Sequence, residues 1–395
     1  MTLAATSTDP ASLAHTTDKN PQAQSLATGT AGIALLHTER AQRGTGSWAD
    51  AHDHLAACAN ELLTDENASL YFGAPAVAFA LHTAHVGTGH YTKALYALDT
   101  QIAKLTKRRL DLAHARMDRG ELPRVGEFDL FYGLTGLGSY LMCRETNAEV
   151  LREVLSYLVR LTRPLHIDDD QLTGWWTHFA PSGRLSRDFA GGHGNLGMAH
   201  GISGVLSLLA ISARDGTVVE GQLDAMQQIC AWLDAQRQDS DTGPWWPQWI
   251  TLAEHQSGTV TQTGPLQPSW CYGTPGHARA QQLAGLALRD TDRRRIAEQA
   301  LLSCLADPTQ LARIRDGGIC HGAAGLLHTT HRVARDAEVT GFDDHLHRLH
   351  ALVLDQEPAH EDGFLDGTAG RALALMTAEE HDSTASGWDA CLLAG

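Results

Sequence analysis

The chain has 395 residues, of which 43% are hydrophobic and 19% are charged. This composition is typical of soluble globular proteins and excludes a disordered chain, a collagen-like fibre and a membrane-embedded protein. Its 30 Lys and Arg residues against 46 Asp and Glu residues give a formal net charge of -16. Such a charge disfavours nucleic acid as a partner and is compatible with a cationic peptide.

The beginning of the chain and the cysteines indicate where the protein is found. The first 27 residues are polar and carry no apolar segment of the signal-peptide kind, and no run of about 18 apolar residues occurs. Seven irregularly spaced cysteines favour free thiols in a reducing compartment. We therefore expect a flexible segment at 1–24, a single domain at 25–395 and a cytoplasmic location, with peripheral membrane association through partners left open.

A Gly-x-x-Gly-like unit followed by an apolar stretch recurs seven times. The first, or leading, glycines of these units are Gly29, Gly73, Gly133, Gly201, Gly273, Gly322 and Gly367, at spacings of 44, 60, 68, 72, 49 and 45 residues. The second glycine follows three residues later, except in the second unit, where Ala76 replaces it. Small residues at this spacing indicate a helix start that packs tightly against neighbouring helices.

Amphipathic stretches lie between the units, at 48–66, 147–164, 218–235 and 291–305, and strand signals are scarce. One inner and one outer helix per unit predict an all-α fold, an (α/α)7 toroid with seven inner and seven outer helices. The longest spacings predict loops at 168–197 and 236–267 that cap a site. In such a ring, the residues that precede the leading glycines lie around one mouth of the barrel.

Two units carry cysteines at this mouth. The segments WCYG and CHG place Cys271 and Cys320 two residues before a leading glycine, with His321 beside Cys320. Two thiolates and an imidazole suit Zn²⁺ and leave a fourth position open. Neighbours in a regular helix point about 100° apart, so Cys320 and His321 can share a metal only at a loosened helix entry. The alternative interpretation is that both cysteines are buried apolar residues and that His321 caps a helix.

The segments WCYGTPG, CHGAAG and NLGMAHGISG together resemble those of the lanthipeptide cyclases, the LanC-like proteins, over about residues 25–380. This resemblance implies an (α/α)7 toroid with one zinc ion per chain. The zinc ligands that it implies are Cys271, Cys320 and His321. The catalytic residues that it implies are His200 of the AHG motif, Asp129 upstream of the third unit, and Tyr272 after the first zinc cysteine.

The resemblance implies a zinc-dependent enzyme that adds peptide cysteine thiols to dehydroalanine or dehydrobutyrine, forming lanthionine or methyllanthionine thioether rings. Zinc would deprotonate the thiol. His200 would protonate the enolate carbon as general acid, Asp129 would orient His200, and Tyr272 would donate to the enolate oxygen. The partners implied are a dehydrated precursor peptide and, in a biosynthetic complex, a dehydratase and an export transporter.

Each of these roles has an alternative in the sequence. His200 could bond to backbone, Asp129 could cap the third inner helix, and Tyr272 could belong to the core. Gln267 stands where family members commonly have an arginine. Two other functions also remain: a LanC-like adaptor that binds zinc and a thiol such as glutathione without cyclase activity, and a glycan-processing toroid that uses a carboxylate pair.

Overall fold

The computed structural model describes residues 21–357, 359, 361–379 and 384–395. Its helices are α1 (Thr30–Gln42), α2 (Trp48–Cys58), α3 (Ala74–His85), α4 (Thr92–Asp118), α5 (Val125–Phe128), α6 (Leu134–Met142), α7 (Ala148–Leu161), α8 (Ile202–Arg214), α9 (Gln222–Gln236), α10 (Leu252–Ser257), α11 (Thr274–Leu288), α12 (Thr291–Ala306), α13 (Pro308–Leu311), α14 (Ala323–Asp336), α15 (Asp343–Asp355) and α16 (Thr368–Glu379). None of the helices in this part of the chain has the length and apolar character needed to cross a membrane.

Seven helices form an inner ring, and each begins directly after a leading glycine: α1, α3, α6, α8, α11, α14 and α16. They are buried almost all round, as in α3, where every residue from 74 to 81 is buried. The helices α2, α4, α7, α9, α12 and α15 lie outside and bury one face, as α7 does with Val150, Val154 and Leu158. The predicted all-α toroid is confirmed; the described residues after α16 contain a 3₁₀ helix (Trp388–Leu392) and no seventh outer helix.

Short strands lie in or beside the predicted capping loops. β1 (Leu165–Ile167) pairs with β2 (Asp170–Leu172), β3 (His193–Asn195) with β6 (Trp249–Thr251), and β4 (Gln238–Ser240) with β5 (Gly243–Trp245), all antiparallel. The ribbon of β3 and β6 joins the two long loops, with Asn195 opposite Trp249. It therefore fixes the chain that leads into α8.

The glycine pairs are explained by the turn that enters each inner helix. A Cβ added at the second glycine would collide with the carbonyl oxygen six residues earlier, as at Gly204 with Met198 and at Gly325 with Ile319. Side chains of a neighbouring repeat come next in distance, as Phe364 does at Gly32. The tight packing predicted at these positions is thus made mainly by the incoming chain, and neighbouring turns rather than helices complete it.

Backbone hydrogen bonds join these turns into a belt around the mouth. The N–H donors and their carbonyl acceptors are Leu130 to Ala199, Met198 to Cys271, Cys271 to Cys320, Cys320 to Leu365, and Leu365 to Ala27, at 2.8–3.3 Å. The last of these bonds joins the seventh repeat to the first. The belt also holds Cys271 and Cys320 side by side on adjacent repeats.

Residues 384–395 lie inside the ring and are contacted by several inner repeats. The backbone carbonyls of Cys391 and Leu392 accept hydrogen bonds from the side chains of Tyr71 (2.9 Å) and Trp270 (3.1 Å). Trp388, Cys391 and Leu393 are fully buried. The hollow that a ring of seven helices would leave is therefore filled by this segment of the same chain.

The predicted flexible segment at 1–24 falls mostly on residues 1–20, which lie outside the described residues. Residues 21–24 form a 3₁₀ helix. The buried Gln24 side chain donates to the carbonyls of Asn60 and Glu61 and accepts from the N–H of Leu63. Gln24 is therefore tied to the loop after α2, and the boundary between 24 and 25 stays a prediction.

Candidate functional site

The residues that precede the leading glycines are each at least partly exposed, and each is followed by a buried glycine. They are Thr28, Phe72, Tyr132, His200, Tyr272, His321 and Asp366. This pattern fits their predicted position around one mouth of the ring. These seven side chains are therefore accessible from solvent at that mouth, although the glycines that follow them are buried.

The three predicted metal ligands lie together at this mouth. Three possible ligand atoms lie within 4.8 Å of one another: the Sγ of Cys271, the Sγ of Cys320 and a ring nitrogen of His321. Cys320 and His321 precede α14, so the geometry of a regular helix does not constrain the directions of their side chains. Two sulfurs and one imidazole nitrogen this close together fit a single ion of the Zn²⁺ type, with room for one further ligand.

The electrostatics of this cluster set it apart from the other cysteines. A hydrogen bond from the Cys320 thiol, opposed by burial and aided by His321, holds the pKa of Cys271 well below its usual range. A hydrogen bond between His321 and Cys271 raises the pKa of the His321 imidazole to about 9. By contrast, burial raises the pKa values of Cys58, Cys143, Cys230 and Cys304 to about 12. These four are packing residues, whereas the neighbours of Cys271 favour its thiolate form.

Polar groups surround His321 on each side. Asp316 Oδ2 lies 3.5 Å from His321 Nε2, and Asp366 Oδ1 lies 3.9 Å from Nδ1. Whichever ring nitrogen binds a metal, a carboxylate lies near the other and can fix the ring. The amide of Gln267 donates a hydrogen bond to the backbone carbonyl of His321. Gln267 therefore supports the turn that carries His321.

His200 and Asp129 form the second part of the site. The Nδ1–H of His200 donates to Asp129 Oδ2 at 2.6 Å, while Asp129 Oδ1 accepts from the N–H groups of Tyr132 (2.7 Å) and Gly133 (2.8 Å). The Asp129 side chain is fully buried, and that of His200 is 23% exposed. Asp129 thus supports the turn into α6 with one oxygen and accepts from His200 with the other, and its catalytic role stays a prediction.

Tyr272 lies between this pair and the capping loops. Its ring centroid is 6.4 Å from that of His200 and 6.3 Å from that of Trp249. Its hydroxyl accepts a hydrogen bond of 3.1 Å from the Nδ2 amide of Asn195. Tyr272 is half-buried rather than part of the core. The structure therefore brings all six predicted site residues to one mouth.

A family model described as "Lanthionine synthetase C-like protein" matches residues 20–393. The chain belongs to this family. Nisin biosynthesis protein NisC of Lactococcus lactis subsp. lactis is 24% identical to this LanC-like chain over 330 residues, which are 79% of the chain and 74% of that protein. A solved structure named nisin cyclase matches with a TM-score of 0.79 and 22% identity, covering 95% of this chain and 93% of that one. That likeness shows the fold, and the resemblance in the sequence is confirmed.

Three polar residues of this LanC-like site escaped the sequence interpretation. Asn195 and Asp316 both stand six residues before a leading glycine, and this repeated offset is the sequence signal that could identify them. Arg109 of α4 donates to the backbone carbonyls of Tyr132 and Ala68, at 2.5 and 2.9 Å. No sequence signal connects Arg109 to the mouth, because it comes from an outer helix.

Proposed function

We propose that this protein is a zinc-dependent lanthipeptide cyclase that adds peptide cysteine thiols to dehydroalanine or dehydrobutyrine and forms (methyl)lanthionine rings. The observation that supports this function best is the pairing, at one mouth, of a Cys₂His cluster within 4.8 Å with a His200–Asp129 hydrogen bond of 2.6 Å. The first can activate a thiol and the second can deliver a proton, which are the two requirements of conjugate addition. Membership of the LanC-like family and the names of the two relatives support it further.

Zinc held by Cys271, Cys320 and His321 would supply a Lewis acid at which a substrate cysteine loses its proton and stays nucleophilic. The sulfur then bonds to Cβ of the dehydro residue, and the electron pair of the carbon–carbon double bond moves into an enolate. That enolate is neutralised when Cα takes up a proton. Atoms are conserved, so the cyclic product is an isomer of the linear peptide.

His200 is placed to give that proton. Its Nδ1 is engaged by Asp129, which leaves Nε2 as the nitrogen that can carry a proton to the peptide. The buried Asp129 carboxylate, with its other oxygen held by two backbone N–H groups, stabilises the imidazolium form and fixes the ring. Tyr272 donates its hydroxyl proton toward the enolate oxygen.

The substrate that this chemistry requires is a precursor peptide dehydrated at Ser or Thr and free in its cysteines. A dehydratase must therefore act first, and we place the protein in the cytoplasm beside that enzyme and an export transporter. A LanC-like adaptor that binds zinc and glutathione would need the cysteines and His321 only. The His200–Asp129 pair has no task in such an adaptor, and it is the feature that favours the cyclase.

The decisive experiment incubates the zinc-loaded protein with a dehydrated cognate peptide. We expect the mass of the peptide to stay the same, and thiol alkylation to add one tag fewer for each ring formed, because each ring consumes one thiol. Mass spectrometry before and after alkylation measures both quantities. A peptide that keeps all its free thiols would overturn the cyclase proposal and favour the adaptor.

Two cysteine variants show whether the metal is required. Cys320→Ala should lose both zinc, measured by elemental analysis, and ring formation. Cys304→Ala is the matched control, because Cys304 is equally a free cysteine but is buried in α12. It should keep about one zinc per chain and the parent rate. Full zinc occupancy in Cys320→Ala would contradict the ligand assignment.

A further inference from the structure

Asn195 makes two hydrogen bonds that together determine its orientation. Its Oδ1 accepts from the N–H of Gly197 at 2.9 Å, and its Nδ2 lies 3.1 Å from the hydroxyl of Tyr272. A backbone N–H can only donate, so the atom facing Gly197 is the oxygen. The atom facing Tyr272 is therefore the NH₂ group, which can only donate. The phenol oxygen is thus an acceptor here, and its own proton remains free for another partner.

The Tyr272 ring has little freedom to leave this position. A Cβ at Gly197 would lie 2.6 and 2.7 Å from Cε1 and Cδ1 of the Tyr272 ring, so the ring rests on a bare Cα. Trp249 packs edge-on against it, and Asn195 itself is 1% exposed in β3. With the ring fixed and one lone pair engaged, rotation of the O–H bond decides where Tyr272 donates.

The sixth repeat carries an equivalent side chain. Asp316 stands six residues before Gly322, as Asn195 does before Gly201, and its Oδ1 accepts from Gly318 N–H at 2.9 Å. In both repeats, a Cβ added at the leading glycine would collide with this Oδ1. The turn is thus the same, and it is formed equally well by an amide or a carboxylate. What differs is the second atom, a donor toward Tyr272 in one repeat and an acceptor beside His321 in the other.

We propose that Asn195 is a positioning residue, which holds the hydroxyl of Tyr272 as a hydrogen-bond donor toward the carbonyl oxygen of the dehydrated residue. This inference rests on the proposed cyclase function. The amide matters because of its polarity: a side chain that accepts at the same place would take the phenol proton for itself. The carbonyl oxygen that becomes negative during addition would then lose a donor.

Asn195→Asp tests this polarity, because Asp316 shows that a carboxylate preserves the turn. We expect Asn195→Asp to slow ring formation by about 10²–10³, the usual cost of a lost oxyanion donor, and to match Tyr272→Phe. Asn195→Ala removes the turn acceptor and the donor, but leaves the phenol free, so its loss of rate should be smaller. The double variant Asn195→Asp/Tyr272→Phe should be no slower than either single variant, and all four should keep their zinc.

A purely structural role predicts the opposite order, with Asn195→Ala the slower variant and Asn195→Asp close to the parent. That order, or a further loss in the double variant, would overturn the proposal. A readout without substrate separates this result from failure of the proposed function. The tyrosine doublet in Raman difference spectra, taken between each protein and its Tyr272→Phe counterpart, should change from an acceptor to a donor signature in Asn195→Asp. An unchanged doublet would equally contradict the inference.

Discussion

At the scale of single residues, the site is built from side chains that serve the turn and the chemistry at once. Asp129 divides its two oxygens between the N–H groups that enter α6 and the imidazole of His200. Full burial would penalise this carboxylate heavily without those partners. The same hydrogen bonds that offset the penalty also determine which nitrogen of His200 is free. The turn into α6 and the orientation of His200 therefore depend on the same residue.

We predict that His200→Ala keeps its zinc and slows ring closure by about 10²–10⁴, the usual share of a general acid. Asp129→Asn should slow it by a similar factor, because an amide can still accept from Tyr132 and Gly133 but no longer stabilises an imidazolium. Rates of thiol loss, together with zinc content, measure both effects.

Asp344→Asn provides the control for Asp129→Asn, since Asp344 is an exposed carboxylate at the start of α15. It should cyclise the peptide at the parent rate. If His200→Ala also reached the parent rate, His200 would be structural, and the proton would have to come from Tyr272 or water.

At the scale of the elements, the Gly-x-x-Gly unit is a device for bringing the incoming chain against a helix start. The second glycine lies against the carbonyl oxygen of the residue six positions earlier in six repeats. In the second repeat Ala76 takes this place, and it is fully buried. The unit therefore determines the level along the axis of the ring at which the residues just before the leading glycine lie. Cys271, Cys320 and His200 are among these residues.

This close approach reverses the usual sign of a glycine substitution. Replacing a helical glycine by alanine normally stabilises a helix by about 1 kcal/mol. At Gly325 the new Cβ would collide with the carbonyl of Ile319, so we expect Gly325→Ala to lower the free energy of unfolding by about 1–3 kcal/mol. Denaturant titration at fixed zinc concentration measures the change.

Gly264→Ala is the matched control, because no atom lies within 4 Å of a Cβ added there. Its free energy of unfolding should stay close to that of the parent. A Gly325→Ala variant as stable as Gly264→Ala would show that the turn relaxes without cost, and the explanation of the repeated glycine would fail.

At the scale of the whole molecule, the repeats are joined at the mouth by the hydrogen-bonded belt and inside the ring by residues 384–395. Asp389 of that segment is buried with His328 and Arg332 of α14. Burial alone would raise the pKa of Asp389, but the Arg332 guanidinium and His328 hold it well below its usual range. The segment also reaches α1, where Glu39 accepts from the N–H groups of Ala385 and Ser386. One inserted segment thus ties the first repeat to the sixth.

The interior also buries several histidines in their neutral form, which makes stability depend on pH. Burial lowers the pKa values of four histidines to about 4: His82, His193, His277 and His331. Unfolded histidines titrate near ~6.5, so below that pH the unfolded chain binds protons that the folded chain does not. The stabilisation is present in full above about pH 6.5 and is lost as the pH falls toward 4.

We therefore expect the free energy of unfolding, measured with urea at saturating zinc, to fall between pH 7 and pH 5. The fall should be smaller in His193→Gln and His277→Gln. Each variant removes one proton from the difference in bound protons between the unfolded and the folded chain. His178→Gln, which alters an exposed histidine of the capping loop, should follow the parent. Equal pH profiles for all four proteins would contradict buried neutral histidines as the cause.

The sequence was sufficient for the repeated helical architecture and for predicting which side chains come together at the mouth, for a local reason. Each repeat folds in the same way. Residues at the same offset from their leading glycines therefore lie at the same level along the axis of the ring. Cys271 and Cys320 share one offset, and His200, Tyr272 and His321 share the next. Residues with the same offset reach the same mouth, whatever the lengths of the loops between them.

Tertiary structure alone decided which of these side chains touch and what lies between them. Asp129 and His200 are 71 residues apart, and Asn195 and Tyr272 are 77 apart, so their contacts exist only once the ring closes. Gln24 is held in place because the loop after α2 offers it three partners, and most of residues 386–394 are buried because a ring of seven helices leaves a hollow to fill. The offset of a residue within its repeat determines its level along the axis of the ring. The distance between two side chains of different repeats depends on how all the repeats pack.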